Sequence, residues 1–146
     1  MRIDAAGYPF IFGALLLAFF CFWLSSVAGV ALLLLAAFFL FFFRDPDRTA
    51  AVDTSSVLAP ADGRVMVAGP PTGKSPPGAW KQVSIFLSPI DVHVNRVPYG
   101  GKVTHLEYHS GKFLPAYRSD SGDLNEYTEI WLTRDGVTVV MRQIVG

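Results

Sequence analysis

The 146-residue chain carries 12 basic and 12 acidic side chains, so its formal net charge is zero, and 51% of it is hydrophobic. That length allows one modest domain, the balanced charge excludes the basic stripe of a nucleic-acid binder, and the apolar content is too high for an ordinary soluble protein. The excess is local, because no charged residue stands between Asp4 and Arg44.

From Pro9 to Phe43 the sequence is nearly all Leu, Phe, Ala, Val and Gly. A spanning helix needs about 20 such residues, and as one helix this run would reach roughly 50 Å. Ser25-Ser26-Val27-Ala28-Gly29 is where hydroxyls and glycine can turn the chain, dividing the run into Phe10 to Leu24 and Val30 to Phe43. The expectation is a tight helical hairpin that dips into or crosses a membrane, with a single long tilted helix as the alternative. Arg2 precedes the run and Arg44 and Arg48 follow it, which favours both ends on the cytoplasmic side. The run is too long for the apolar region of a cleaved signal peptide, so the anchor is expected to stay. Cys21, the only cysteine, lies inside the run and reads as a small apolar side chain without a disulfide partner.

Arg44-Asp45-Pro46-Asp47-Arg48 marks the membrane exit, since Pro46 biases Asp45 away from helix and alternating charges suit a headgroup layer. The expected organisation is an anchor and exit over residues 1–48 and a β-rich domain over residues 49–146. Asp62-Gly63 reads as a turn between short strands at Val57–Pro60 and Val65–Ala68. In Gly69 to Gly78 a Gly-Lys-Ser sequence is present, but the spacing misses a phosphate loop by one residue and Pro76-Pro77 blocks the helix such a loop needs. That segment is a surface connection.

Val83, Ile85 and Leu87 alternate with Ser84 and Phe86 as in a strand, which Ser88-Pro89 breaks just before Asp91, His93 and Asn95. If extended, these three polar residues share a face and Arg96 points away. After Gly100-Gly101, Lys102 to Tyr108 alternates as a strand; His105 and His109 have a spacing that suits a metal only on a helix, so no metal site is expected. Gly111 to Asp123 is a loop placed to cover a site, and Thr128–Thr133 and Val137–Gln143 form a hairpin through Arg134-Asp135-Gly136. The fold class is α+β: an N-terminal apolar membrane helix or helical hairpin, then a mostly antiparallel β domain, C-terminally incomplete.

Ser88-Pro89-Ile90-Asp91-Val92-His93 resembles the Ser-Pro-x-Asp-x-His segment of phosphatidylserine decarboxylases. Further pieces follow in that family's order: Phe42-Phe43-Arg44-Asp45-Pro46, Ala59-Pro60-Ala61-Asp62-Gly63-Arg64-Val65, Pro98-Tyr99-Gly100-Gly101-Lys102-Val103, Gly111-Lys112-Phe113, Asn125-Glu126 and Gln143-Ile144-Val145-Gly146. Together they run from about Phe42 to the last residue, and the apolar N-terminus fits the short, membrane-associated branch.

The resemblance implies a lyase that converts phosphatidylserine to phosphatidylethanolamine through a Schiff base to a pyruvoyl group, its covalent and self-generated cofactor. It implies a phospholipid substrate, a cell-membrane location with the catalytic domain on the cytoplasmic side, and a small pyruvoyl-bearing partner chain. His93 and Asp62 are the implied catalytic residues, His93 handling protons and Asp62 orienting it, with Asp91 structural. In relatives the pyruvoyl forms at the Ser of a Gly-Ser pair downstream of the counterpart of Gly146. No such Ser stands here, so a truncated proenzyme, inactive alone and with an exposed strand edge, is the expectation. Arg96 occupies a position where longer relatives carry a second His, and Asp120 and Tyr127 occupy positions where relatives carry basic residues. The competing reading is a membrane-tethered β module that binds lipid or a partner without catalysis.

Overall fold

Two apolar helices, α1 (Tyr8–Phe22) and α2 (Ser26–Phe42), take up the uncharged run in a computed structural model that describes residues 2–49, 56–118 and 120–146. They pack on each other as a hairpin. The break falls at Trp23-Leu24-Ser25, just ahead of most of the stretch expected to make it. Ser25 is extended (φ −159°, ψ 120°) and its side chain accepts the Ala28 N–H, so it caps α2, and Ser26 to Gly29 are already helical. The amides of Leu24 and Ser25 both donate to the Cys21 carbonyl and close α1.

Apart from Ile11, the buried seam between the helices is lined by small residues. Ile11, Ala14 and Ala18 of α1 and Gly29 and Ala36 of α2 are buried, a pattern that lets two backbones approach. A Cβ at Gly29 would lie 2.6 Å from the Phe22 ring. The outward faces carry Leu16, Phe19, Phe20 and Leu34, all exposed, with no polar stripe. At about 1.5 Å per residue the helices are roughly 23 and 26 Å long. With the 3₁₀ turn before it, Ala5–Phe22 forms an 18-residue helix long and apolar enough to cross a membrane.

A two-stranded ladder closes the open end of the hairpin. In it β1 (Arg2–Ile3) runs antiparallel to β2 (Arg44–Asp45), pairing Arg2 with Asp45 and Ile3 with Arg44. The Asp4 N–H donates to the Phe43 carbonyl at 2.8 Å. The chain therefore enters and leaves the hairpin at the same end.

The remainder is antiparallel sheet. β3 (Arg64–Gly69) pairs with β4 (Gln82–Phe86) through the proline-rich connection. β5 (Lys102–His109), β6 (Tyr127–Arg134) and β7 (Val137–Ile144) form a second sheet in that order, with a bulge between Val103 and His105. The β6–β7 turn needs positive φ at both central residues, and Asp135 (52°) and Gly136 (78°) supply it. The class is thus α+β with an N-terminal apolar hairpin.

Local departures have identifiable causes. No strand precedes Asp62 over residues 56–60, where the Leu58 N–H goes instead to the Pro98 carbonyl; residues 51–55 lie outside the described residues. After Phe86 the chain leaves the ladder, so period-two alternation does not govern Asp91, His93 and Asn95. The loop after β5 contains a one-turn helix, α3 (Ser121–Leu124), and ends at Asn125, which is 2% exposed. The Asn125 amide donates to the Leu114 and Val145 carbonyls and accepts the Leu114 N–H, so both ends of the loop are fastened.

The chain divides into two compact units. One comprises Met1–Ala50, Ala61–Gly63 and Leu87–Arg96; the other comprises Ala51–Pro60, Arg64–Phe86 and Val97–Gly146. Asp62 and His93 both fall in the first, with the hairpin.

Candidate functional site

Proline at position 89 ends the strand run, and Asp91 turns the chain. Its N–H donates to the Ser88 carbonyl at 2.9 Å, while its carboxylate accepts the Ser88 N–H at 2.8 Å. The Ser88 backbone and then its side chain hold the Asp91 carboxyl below its usual range against the cost of desolvation, with weaker help from the charges of His93 and Arg44. Arg44, at the exit of α2, donates to the carbonyls of Ile90 (2.6 Å) and Phe41 (2.8 Å) and lies over the Phe41 ring. Helix exit and turn are thereby fastened together inside one unit.

That fastening lays His93 on the last turn of α2. Its ring centroid is 4.3 Å from that of Phe42, tilted by 31°. Nδ1 lies 3.1 Å from the Asp91 carbonyl oxygen. A carbonyl can only accept, so Nδ1 is the donor in this contact, and in the neutral imidazole the lone pair then falls on Nε2. Nε2 has no hydrogen-bond partner among the described residues. His93 lines a depression of about 390 Å³ with Asp4, Phe42, Phe43, Val94 and Asn95. An imidazole with a free basic nitrogen, an amide and an apolar floor can bind a polar group and move a proton.

Asp62 is differently engaged. Its carboxylate is ion-paired with Arg48, and among the described residues no hydrogen bond joins it to His93. The group that orients the imidazole is the backbone oxygen of Asp91, the residue the sequence marks as structural. Arg96 pairs with Asp45 and donates to the Pro46 carbonyl, so it ties the turn to the exit segment.

In the other unit, His105 and His109 flank Glu107 along β5, at 3.0 and 3.4 Å from its Oε2. Neither lines the depression. Among the described residues no three His, Cys, Asp or Glu side chains are arranged to hold a metal ion. Glu129, 6% exposed, accepts from Trp131 Nε1 and Arg142 Nε, both at 2.5 Å. Burial alone would raise its pKa, but those hydrogen bonds and the Arg142 charge hold it below the usual carboxylate range.

Sequence reasoning did not place Asp4 or Phe42 at the site. Asp4 is about 90 positions from the other polar residues of the depression, His93 and Asn95, and the only signal available was that it is the last charge before the apolar run.

The family model for phosphatidylserine decarboxylase matches residues 35–146. Among curated proteins, the phosphatidylserine decarboxylase proenzyme of Prosthecochloris aestuarii is 46% identical over 118 residues, covering 78% of this chain and 52% of that protein. The proenzyme of Chlorobium phaeobacteroides is 43% identical over 145 residues, covering 97% and 62%. That of Symbiobacterium thermophilum is 40% identical over 146 residues, covering 99% and 68%. The chain thus spans about half to two thirds of the length of these relatives. No solved structure matches it. With the family model covering most of the chain, and the Ser-Pro-x-Asp-x-His turn and the Asn-Glu clasp both inside the matched span, the chain belongs to the phosphatidylserine decarboxylase family.

Proposed function

We propose that this chain is the membrane-anchored part of a phosphatidylserine decarboxylase proenzyme. Its substrate is phosphatidylserine at a membrane surface, its product phosphatidylethanolamine, its cofactor a pyruvoyl group, and its partner the small chain that carries that group. The hairpin α1–α2 enters the membrane with both ends on the cytoplasmic side, a reading supported by the β1–β2 pairing across its open end and by its uncharged outward faces.

The observation that carries the reading is His93, whose Nδ1 faces a backbone carbonyl and whose Nε2 is left as a base beside Asn95 over Phe42. This donor set fits a small carbonyl group, with an amide donor, a proton carrier and an apolar wall. When present, the pyruvoyl group supplies an electron sink for the pair released with carbon dioxide. The chain's own residues do the rest. His93 Nε2 takes the proton from the hydroxyl that starts self-cleavage and later handles protons at the substrate. Asn95 orients the bound polar group, and Phe42 and Phe43 keep water from one side. Asp62, anchored by Arg48, is the supporting carboxylate of the same unit.

The test joins this chain to the residues by which the Prosthecochloris aestuarii relative extends beyond the matched span. Mass spectrometry should find a large chain and a small chain blocked by pyruvoyl, and the product should release carbon dioxide from phosphatidylserine vesicles. His93→Ala should slow self-cleavage by about 10² to 10⁴, the usual worth of a positioned base. Asp62→Asn should slow it too, while His105→Ala and His109→Ala mature normally. An uncut parent chimera sinks the enzyme reading in favour of a tethered binding module, and normal maturation of His93→Ala removes His93 as the base.

A further inference from the structure

We infer that Asp4 is the amine-recognising carboxylate of an aminophospholipid headgroup site at the mouth of the helical hairpin, an assignment that rests on the substrate class proposed above. Asp4 lies outside the span that the family model matches, so no motif reaches it; the fold alone brings it to the site. Its N–H donates to the Phe43 carbonyl at 2.8 Å, and its Oδ1 accepts the Ala6 N–H at 2.9 Å. The other oxygen, Oδ2, has no protein partner among the described residues.

Charge separates Asp4 from its neighbours. Around the hairpin exit Asp45 pairs with Arg96, Asp47 with Arg2 and Asp62 with Arg48. Asp4 has no basic partner among the described residues, and it lines the same depression as His93 and Asn95. At about 390 Å³ that depression lies within the range of small-ligand sites, roughly 300 to 1,000 Å³. Phe42 and Phe43, the end of the apolar run, form its wall. A lipid whose tails lie along α1 and α2 therefore presents its headgroup to this depression. A carboxylate with an open acceptor is matched there by a primary ammonium, a charge-assisted hydrogen bond.

The chain is reconstituted in lipid nanodiscs and titrated with glycerophosphoserine, glycerophosphoethanolamine and glycerol phosphate, binding being followed by calorimetry. Asp4→Asn keeps an acceptor for the Ala6 N–H and removes the charge, so the hairpin mouth is preserved. It should weaken both amine-bearing probes roughly tenfold or more and leave glycerol phosphate unchanged. Asp47→Asn, on the same surface but outside the depression, should change none of them. Equal binding of the three probes by the parent chain overturns the assignment, as does an Asp4→Asn chain that still prefers the amines or an Asp47→Asn chain that weakens as much. The cleavage assay separates this from the enzyme reading. A chimera that matures, and whose Asp4→Asn form keeps the parent KM, removes Asp4 alone. Amine preference lost in Asp4→Asn beside an uncut chimera supports the headgroup site and sinks the enzyme.

Discussion

The two compact units handle a carboxylate in opposite ways. In the hairpin unit, Asp91 stays near the surface and its charge is met mainly by the Ser88 backbone and hydroxyl within a tight turn. In the sheet unit, Glu129 is buried across from Arg142 on β7 and beside Trp131, in a network whose cation also donates to the Lys74 carbonyl. The first arrangement is local and leaves neighbouring groups, His93 among them, open to a ligand. The second engages the Trp131 N–H and two Arg142 donors and holds three chain segments together. A buried charge without its partner is costly, so the Glu129–Arg142 pair has little freedom to take another partner, whereas the turn can exchange partners at low cost.

The largest effect should come from breaking the buried network. Glu129→Ala leaves Arg142 and the Trp131 N–H without their acceptor, and should cost the sheet unit about 3 kcal/mol. Thermal unfolding followed by the near-ultraviolet signal of the Trp80–Trp131 pair, whose ring centroids are 6.1 Å apart, measures it. The far-ultraviolet helical signal should hold to a higher temperature; if both signals fall together, the two units do not melt separately.

The converse change is Gly29→Ala, whose new methyl meets the Phe22 ring at 2.6 Å. Overpacking of this kind costs about 1 to 3 kcal/mol. Here the helical signal should be lost earlier while the tryptophan signal is unmoved, and thiol labelling of Cys21, one residue from Phe22, should quicken. An unchanged labelling rate would mean that the seam yields without opening.

Acid provides the finest comparison. Both Asp91 and Glu129 are held below the usual carboxylate range, so each contributes stability that is complete above its unfolded value, near pH 4, and is lost as pH falls through its depressed one. In Asp91→Asn the acid loss in the turn, read from the Ser88 amide resonance, should disappear, and the loss in the sheet should persist. Should the Ser88 amide titrate as before, Asp91 is not the group that holds the turn.

Much of this molecule was legible as sequence because it rests on local rules. The uncharged run from Pro9 to Phe43 demanded apolar surroundings, alternation located β5, β6 and β7 within a residue or two, and Asp135-Gly136 specified its turn. The ordered motifs led to the family. The hairpin break was missed by a few residues because Ser25 acts as a cap, which places helix after it rather than a bend. The candidate site was legible only in part. The motif singled out His93, but that its Nδ1 meets the Asp91 backbone oxygen while Asp62 pairs with Arg48 could not be foretold, because spacing cannot tell a backbone oxygen from a carboxylate as a partner. The pairing of Arg48 with Asp62 and of Arg96 with Asp45, the seat of His93 on Phe42, and the return of Asp4 to the hairpin mouth join residues 14, 51, 51 and about 90 positions apart. Periodicity and propensity act over one element at a time, so contacts across such separations were decided only when the chain folded back on itself.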